Sequence, residues 1–147
     1  MGGNYGLFAA YAAQKANKVY SFEPMSFIRI YLRNTQKLFC DKIVIVPYAC
    51  SNQNIITLFT QCDNPAASHD SNIIAFTHNR ELYTEQVRVV KLDDFISENK
   101  IYPTFIKADI EDAEYNMLLG CQEYIKNKHP KLSLVLHTNI PEKITAI

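Results

Sequence analysis

One stretch at the start of the chain constrains its fold more than any other. A glycine-rich turn, Gly2 to Gly6, precedes an alanine-rich helical run, and a short apolar strand then ends on the carboxylate of Glu23. Glycine lets the backbone approach a ligand closely, and the N-terminus of the following helix offers unpaired N–H groups. An acid about twenty residues later, at the end of the next strand, is placed to accept hydrogen bonds from ribose hydroxyls. The pattern predicts a site for a nucleoside-containing cofactor at the carboxyl edge of a parallel sheet.

Alternating strand and helix signals at both ends of the chain predict a single α/β domain with a mostly parallel sheet. The elements follow from apolar spacing and from the positions of breaker residues. The predicted strands are residues 19–23, 43–46, 104–109 and 132–136, and the predicted helices are residues 7–16, 26–39 and 112–127, with a short one near residue 95. The middle differs, because 55–59, 72–77 and 85–91 have strand character around a polar loop at 61–71. This segment is predicted to form a small antiparallel insertion.

Helical spacing also predicts which side chains share a face of each helix. The predicted stripes are Phe8, Tyr11 and Ala12 in the first helix, Phe27, Ile30, Tyr31, Asn34 and Leu38 in the second, and Ala113, Met117, Cys121, Tyr124 and Ile125 in the last. We interpret the aromatic residues of the helices as core rather than as a stacking platform. Ser26 is expected to cap the second helix, and Asp93 or Asp94 the short one.

Composition and charge exclude several classes of protein. The 147 residues suffice for one domain with its own core, and fifteen acids balance fifteen bases. Whole-chain charge therefore indicates neither a nucleic-acid partner nor a membrane surface. The scattered cysteines predict reduced thiols of an intracellular protein, without a disulfide framework or a zinc site. No signal peptide and no run long enough to span a bilayer is visible, so a cytoplasmic location is expected.

A second group of functional candidates is the acid-rich stretch at residues 105–114. It places Asp109, Glu111, Asp112 and Glu114 at the end of a strand and over the start of a helix. Stabilisation by the helix dipole, about 0.3–1 kcal/mol per acid, accounts for Asp112 and Glu114. Asp109 differs because it lies at the strand end, where open α/β sheets bind ligands. No metal site is predicted, since no ligand spacing supports one.

Two further residues with reactive side chains follow predicted strands. His137 follows the last predicted strand, where a neutral imidazole is suited to act as a general base or simply to bond a backbone group. Cys50 follows the third strand but has no neighbouring base in the sequence, so a thiolate nucleophile is not expected. The sequence leaves both roles of His137 open.

Several separated motifs give this chain a family resemblance. Residues 2–7 and 19–24 resemble the opening motifs of the FkbM-type S-adenosylmethionine-dependent methyltransferases. The similarity continues, in the family's order, through residues 49–51, 90–96, 105–114, 119–120 and 130–132, and it ends at His137. Because it covers almost the whole chain, it is more specific than any single motif.

The resemblance implies the class I methyltransferase fold, a Rossmann-like sheet with helices on both faces. It also implies a set of residues around S-adenosylmethionine. By this resemblance Gly2, Gly3, Asn4 and Gly6 lie under the methionine part, Glu23 beside Pro24 holds the ribose hydroxyls, Ala49 and Cys50 border the adenine, and Asp109 lies near the sulfonium.

The same resemblance implies transfer of a methyl group to a hydroxyl oxygen of a small molecule, a sugar or a lipid. The sulfonium is already a good leaving group, so the protein mainly aligns the acceptor and removes a proton. Lys107, Glu111 and His137 are the candidates for that proton transfer. The acceptor itself and the oligomeric state cannot be read from the residues.

Three departures from the family pattern shape the expectations. No strand precedes Gly2, none follows His137, and Asp112 stands where the family usually has a glycine. We therefore expect a fragment that lacks the first strand and the closing strands. One alternative is a degenerate, non-catalytic domain of the same fold that serves interaction. Another, an NAD-binding oxidoreductase, is disfavoured because Met1 stands where a dinucleotide fingerprint needs glycine.

Overall fold

The structure is a computed structural model that describes residues 1–39, 42–61, 68–70 and 84–136. Within these ranges the chain is a mixed α/β protein. The helices are α1 (Leu7–Ala13), α2 (Ser26–Leu38), α3 (Leu92–Asn99), α4 (Glu114–Leu119) and α5 (Gln122–Lys128). The strands are β1 (Val19–Phe22), β2 (Ile43–Val46), β3 (Tyr48–Cys50), β4 (Ile55–Gln61), β5 (Ser68–Asp70), β6 (Thr84–Val90), β7 (Phe105–Ala108) and β8 (Lys131–Leu134).

The chain divides into two compact units. The first contains residues 2–49 and 56–88, and the second contains residue 1, residues 50–55 and the chain from residue 89 onward. In the described part of either unit, no helix combines the length and the apolar character needed to cross a bilayer.

The strands pair in three small sheets. β1 lies parallel to β2, with Val19 opposite Ile43, and β7 lies parallel to β8, with Phe105 opposite Lys131. The remaining described strands form a sheet in the order β3–β6–β4–β5, in which β4 and β5 are antiparallel. The two parallel pairs agree with the predicted parallel character of the sheet, and the β4–β5 pair is an antiparallel element in the middle of the chain. The mixed α/β class is likewise confirmed, although the described strands form separate small sheets.

The first helix packs through its smallest side chains. Ala9 and Ala13 of α1 are buried, and they form a cluster with Leu32 and Ile43. The predicted stripe was wrong, because Phe8 and Tyr11 are exposed. Alanine lets the helix axis approach the neighbouring strands and α2 closely, so the bulky side chains of α1 are left on the outer side.

The second helix has two apolar faces, and the structure buries the one that was not predicted. Ile28 and Leu32 are in the core, whereas Ile30, Tyr31 and Leu38 of the predicted stripe are exposed. Apolar spacing alone does not distinguish a face that meets the core from one that does not.

The start of α2 also differs from the prediction. Ser26 is the first residue of the helix, and Met25 stands at the N-cap position. The backbone N–H of Ser26 donates a hydrogen bond to the carboxylate of Glu85 on β6. A distant acid therefore satisfies the first N–H group of α2.

The long helix predicted for residues 112–127 is broken into α4 and α5 at Gly120. The Gly120 carbonyl accepts a hydrogen bond from the N–H of Asp93 at 2.9 Å. The Asp93 carboxylate then accepts the N–H groups of Glu123, at 3.1 Å, and Tyr124, at 2.9 Å. Asp93 therefore caps α5. The prediction that it caps its own helix was wrong. Met117 and Cys121 of the predicted stripe are buried as expected.

The antiparallel middle is partly as predicted. β6 overlaps the segment of predicted strand character at residues 85–91, and its Val87, Val89 and Val90 are buried while Arg88 is exposed. The short strand β5 lies within the stretch predicted to be a polar loop, because it pairs with the end of β4. The strand predicted at residues 72–77 lies outside the described residues.

Candidate functional site

The glycine-rich turn forms a tight loop at the start of the first unit, called here the glycine loop (residues 2–6). Gly2 and Gly6 have φ angles of 72° and 89°, in the left-handed region that favours glycine. A Cβ on Gly6 would lie 2.8 Å from Leu32 Cδ1 and 2.9 Å from Thr35 Cβ. Glycine at position 6 is therefore required both by its backbone conformation and by the close approach of α2.

The glycine loop is held against the end of β1. The N–H of Gly3 donates to the carbonyl oxygen of Phe22 at 2.8 Å. A Cβ on Gly3 would lie 2.7 Å from Ser21 Oγ and 3.1 Å from Glu23 Cβ. The loop backbone lies directly against the end of β1, beside Glu23. A side chain at position 3 would therefore have to displace its neighbours.

The Glu23 carboxylate points at this loop. Its Oε2 accepts the N–H of Asn4 at 2.8 Å, and its Oε1 accepts the N–H of Met25 at 3.0 Å. The residue is 4% exposed. A carboxylate oxygen has two lone-pair sites, so each oxygen keeps one further site for a donor. The acid and the loop form one hydrogen-bonded structure.

The electrostatics of Glu23 are set mainly by burial. Burial raises the pKa of the Glu23 carboxyl, while the N–H groups of Met25 and Asn4 and the charge of Arg29 oppose that rise. The guanidinium of Arg29 donates to the carbonyl oxygen of Glu23 at 3.0 Å and also to that of Pro24. Arg29 therefore fixes the turn that follows β1, and with it the position of the acid.

The chemistry of this cluster fits the ribose part of S-adenosylmethionine. The two lone-pair sites that remain on Glu23 match the two O–H donors of a ribose. Because glycine has no side chain, the backbone of the glycine loop is bare at Gly2 and Gly3. Asn4 also adopts a positive φ, of 43°, and its side-chain Oδ1 accepts the N–H of Tyr5 at 2.7 Å.

Ala49 and Cys50, the residues expected at the adenine, lie on β3. Burial raises the pKa of the Cys50 thiol to about 12. The thiol is therefore protonated at neutral pH, in agreement with the expectation that Cys50 is not a nucleophile.

The acid-rich stretch lies in the second unit, at the end of β7. Lys107 Nζ forms an ion pair with Asp109 Oδ2 at 3.0 Å. An ammonium group donates hydrogen bonds and has no lone pair to accept a proton, so this geometry favours Lys107 as a partner that orients Asp109. Glu111 and Asp112 follow with φ angles of 52° and 73°. Two consecutive left-handed residues other than glycine make a sharp turn at this point.

Glu114 closes that turn, a role that sequence reasoning missed. It is completely buried, and its Oε1 accepts the N–H of Ile110 at 2.7 Å. Among the residues that the structure covers, no partner is found for its Oε2. The predicted dipole role was too simple, because the carboxylate reaches back to the turn before the helix. The acid four residues after Ile110 is the signal that indicates such a backward cap.

The remaining candidates have different outcomes. His137 lies outside the described residues, so its role stays a prediction. Over the ranges that are described, no group of His, Cys, Asp and Glu side chains is arranged to hold a metal ion. Arg29 and Glu85 were not recognised from the sequence. Arg29 contacts the turn that follows β1, and Glu85 contacts the start of α2, 59 residues before it in the chain. No local motif marks either contact.

Comparisons with known proteins found a matching family and a similar solved structure. The family described as "Methyltransferase FkbM domain" matches residues 1–145 of the chain. The chain is also similar to the crystal structure of Methyltransferase FkbM from Methylobacillus flagellatus KT, with a TM-score of 0.65 and 22% sequence identity. That match covers 90% of this chain and 30% of the other, so the chain spans less than a third of that protein's length. No curated protein matches the sequence.

Proposed function

Because this chain belongs to the FkbM methyltransferase family, we propose that it binds S-adenosylmethionine and methylates a hydroxyl oxygen of a small molecule, a sugar or a lipid. The observation that supports the proposal best is the carboxylate of Glu23, which faces the glycine loop and keeps two acceptor sites.

In this proposal each group of candidate residues has a separate task. Glu23 accepts the ribose hydroxyls, and its two backbone N–H partners hold it in place for them. The glycine loop lies under the methionine part, where side chains would obstruct it. Ala49 and Cys50 border the adenine. When bound, S-adenosylmethionine supplies a methyl group on a sulfonium that leaves readily.

The second unit is proposed to serve the acceptor. Asp109, oriented by the ammonium of Lys107, is assigned to the neighbourhood of the reacting group. Glu111 and His137 remain the candidates for removing the hydroxyl proton, since each has a form that can accept one. The class I methyltransferase arrangement of the sheet belongs to the same proposal.

The proposal is tested by calorimetry with S-adenosylhomocysteine on protein shown to be folded by circular dichroism. Glu23→Gln keeps the size of the side chain but removes its charge. Replacing charge-assisted hydrogen bonds costs about 1.5–3 kcal/mol, so affinity should fall by at least about tenfold. Glu98→Gln is the matched control, because Glu98 is an exposed acid on α3. It should bind as tightly as the unchanged chain.

A second titration separates ribose recognition from damage to the glycine loop. An analogue of S-adenosylhomocysteine without the ribose 2′-hydroxyl should bind the unchanged chain more weakly than S-adenosylhomocysteine does. Glu23→Gln should lower the affinity for this analogue much less than it lowers the affinity for S-adenosylhomocysteine. If the variant weakens both ligands equally, Glu23 acts through the loop and its assigned contact is wrong. A folded chain that takes up neither ligand supports the alternative of a non-catalytic domain that serves interaction.

A further inference from the structure

The face of α2 that the core does not use is apolar and exposed. Ile30, Tyr31 and Leu38 are 58%, 53% and 78% exposed, and their positions in the helix place them on one side. The core contacts of α2 are made from another side by Ile28 and Leu32. A helix normally turns one apolar stripe to the core and polar residues outward. The second stripe of α2 is therefore unexplained by the fold of the first unit.

The first helix extends this exposed surface. Leu7 and Tyr11 of α1 are 82% and 54% exposed. The ring of Tyr5, just before α1, lies edge-on against the ring of Tyr31, with centroids 5.1 Å apart. This ring contact brings the start of α1 to the exposed side of α2. We call the set Leu7, Tyr11, Ile30, Tyr31 and Leu38 the outer face.

Basic side chains border the outer face, and acids are missing from it. Arg33 and Lys37 are exposed and follow Ile30 by three and seven positions, which places them beside the stripe. Lys15 Nζ lies 5.0 Å from the centroid of the Tyr11 ring. Residues 5–39 contain five Lys or Arg residues and one acid, which is the buried Glu23. The balanced charge of the whole chain conceals this local excess.

We propose that the outer face docks on the surface of an anionic lipid bilayer. Exposed aliphatic and tyrosine side chains with adjacent Lys and Arg are the composition of helices that lie in the interface of a membrane. Tyrosine suits the headgroup level, because its ring is apolar and its hydroxyl is polar. Lysine and arginine near the surface are attracted by anionic headgroups. Docking of this kind requires no helix that crosses the bilayer.

The charge pattern favours this partner over two others. The phosphates of a nucleic acid would attract Arg33 and Lys37. They would offer nothing that matches the exposed, apolar Ile30 and Leu38. A second copy of the chain would bring the same basic residues together across a two-fold interface, where like charges repel. An anionic bilayer complements both the charge and the apolar area.

The experiment is sedimentation of the 147-residue chain with vesicles. Vesicles of phosphatidylcholine with about 30% phosphatidylserine should bind it at low salt, and pure phosphatidylcholine should bind it much more weakly. Arg33→Gln with Lys37→Gln should lower the partition coefficient about 30-fold. Ile30→Ser with Leu38→Ser should lower it at least about tenfold.

Two matched controls carry the same chemical changes elsewhere. Lys126→Gln with Lys128→Gln removes two exposed charges from the last turn of α5, and Ile56→Ser removes an exposed apolar side chain from β4. Both controls should bind the anionic vesicles as the unchanged chain does. Circular dichroism of every variant establishes that it is folded.

The proposal is overturned if the chain does not bind anionic vesicles at low salt, or if the controls lose as much binding as the outer-face variants. It is also overturned if sedimentation equilibrium shows a dimer that Ile30→Ser with Leu38→Ser dissociates, since the outer face then belongs to a second copy. The result is independent of cofactor binding, because vesicles are offered without S-adenosylhomocysteine.

Discussion

Replacing Gly120 by alanine should destabilise the second unit strongly. A Cβ at this position would lie 1.9 Å from the carbonyl oxygen of Ser51 and 2.9 Å from its carbonyl carbon. Contacts of a Cβ below 3.0 Å are essentially never seen, so the two segments must separate by about 1 Å. Both atoms belong to the backbone of Ser51, and rotation of a side chain cannot relieve the clash.

The magnitude follows from what this separation disturbs. Overpacking of a well-packed region costs about 1–3 kcal/mol. The hydrogen bond from Asp93 N–H to the Gly120 carbonyl is at risk as well, and a lost bond of this kind costs about 1 kcal/mol. Gly120 has a right-handed φ of −79°, so alanine also gains about 0.4–1 kcal/mol by restricting the unfolded chain. We expect a net loss of about 2–3 kcal/mol in the free energy of unfolding.

Urea unfolding followed by circular dichroism measures this loss. Gly3→Ala is the comparison, because its nearest contact is the flexible side chain of Ser21 at 2.7 Å rather than backbone. It should destabilise the protein less than Gly120→Ala does. If Gly120→Ala leaves stability unchanged or raises it, the close approach of residue 120 to Ser51 is not a constraint on the fold and the reasoning is refuted.

Three further substitutions test other parts of the structure. Asp112→Gly should stabilise the chain by about 0.5 kcal/mol, because relief of the positive φ of 73° exceeds the entropic cost of glycine, and Asp112→Ala should do the opposite in the same urea assay. Asp93→Ala should lower stability by about 1–2 kcal/mol, measured by thermal unfolding, because the start of α5 loses its cap. Burial raises the pKa of Glu23 above its ordinary value of 4.5, so the native state holds the proton more tightly than the unfolded state. The free energy of unfolding should therefore fall as pH rises from 4.5 through the folded pKa, and Glu23→Gln should remove that part of the slope; an unchanged slope would contradict the assignment.

The local features of the fold and of the candidate site could be predicted from the sequence. β1 and β2 have the predicted bounds to within a residue, since runs such as Ile43–Val46 have a strong strand preference of their own. The proximity of Glu23 to the glycine loop was predictable as well, because a helix and a strand of fixed length join the two.

What could not be predicted depends on contacts between distant residues. The break at Gly120 arises because Asp93 takes its carbonyl, and nothing near residue 120 encodes that partner except the glycine itself. Likewise, Glu85 accepts the first N–H group of α2 from a strand far along the chain. The exposed stripe of α2 has the same spacing as a core stripe, and packing against α1 and β2 decides which one is buried.

The end of β1 is fixed from both sides, and this has a mechanical consequence. On one side Phe22 accepts the N–H of Gly3, and on the other the N–H of Glu23 donates to Val46 on β2 at 3.0 Å. The glycine loop thus occupies the place of a neighbouring strand and continues the sheet's bonding by one rung. When the sheet twists or flexes, the acid and the loop move as one body, so the Glu23 carboxylate keeps its position relative to the loop backbone.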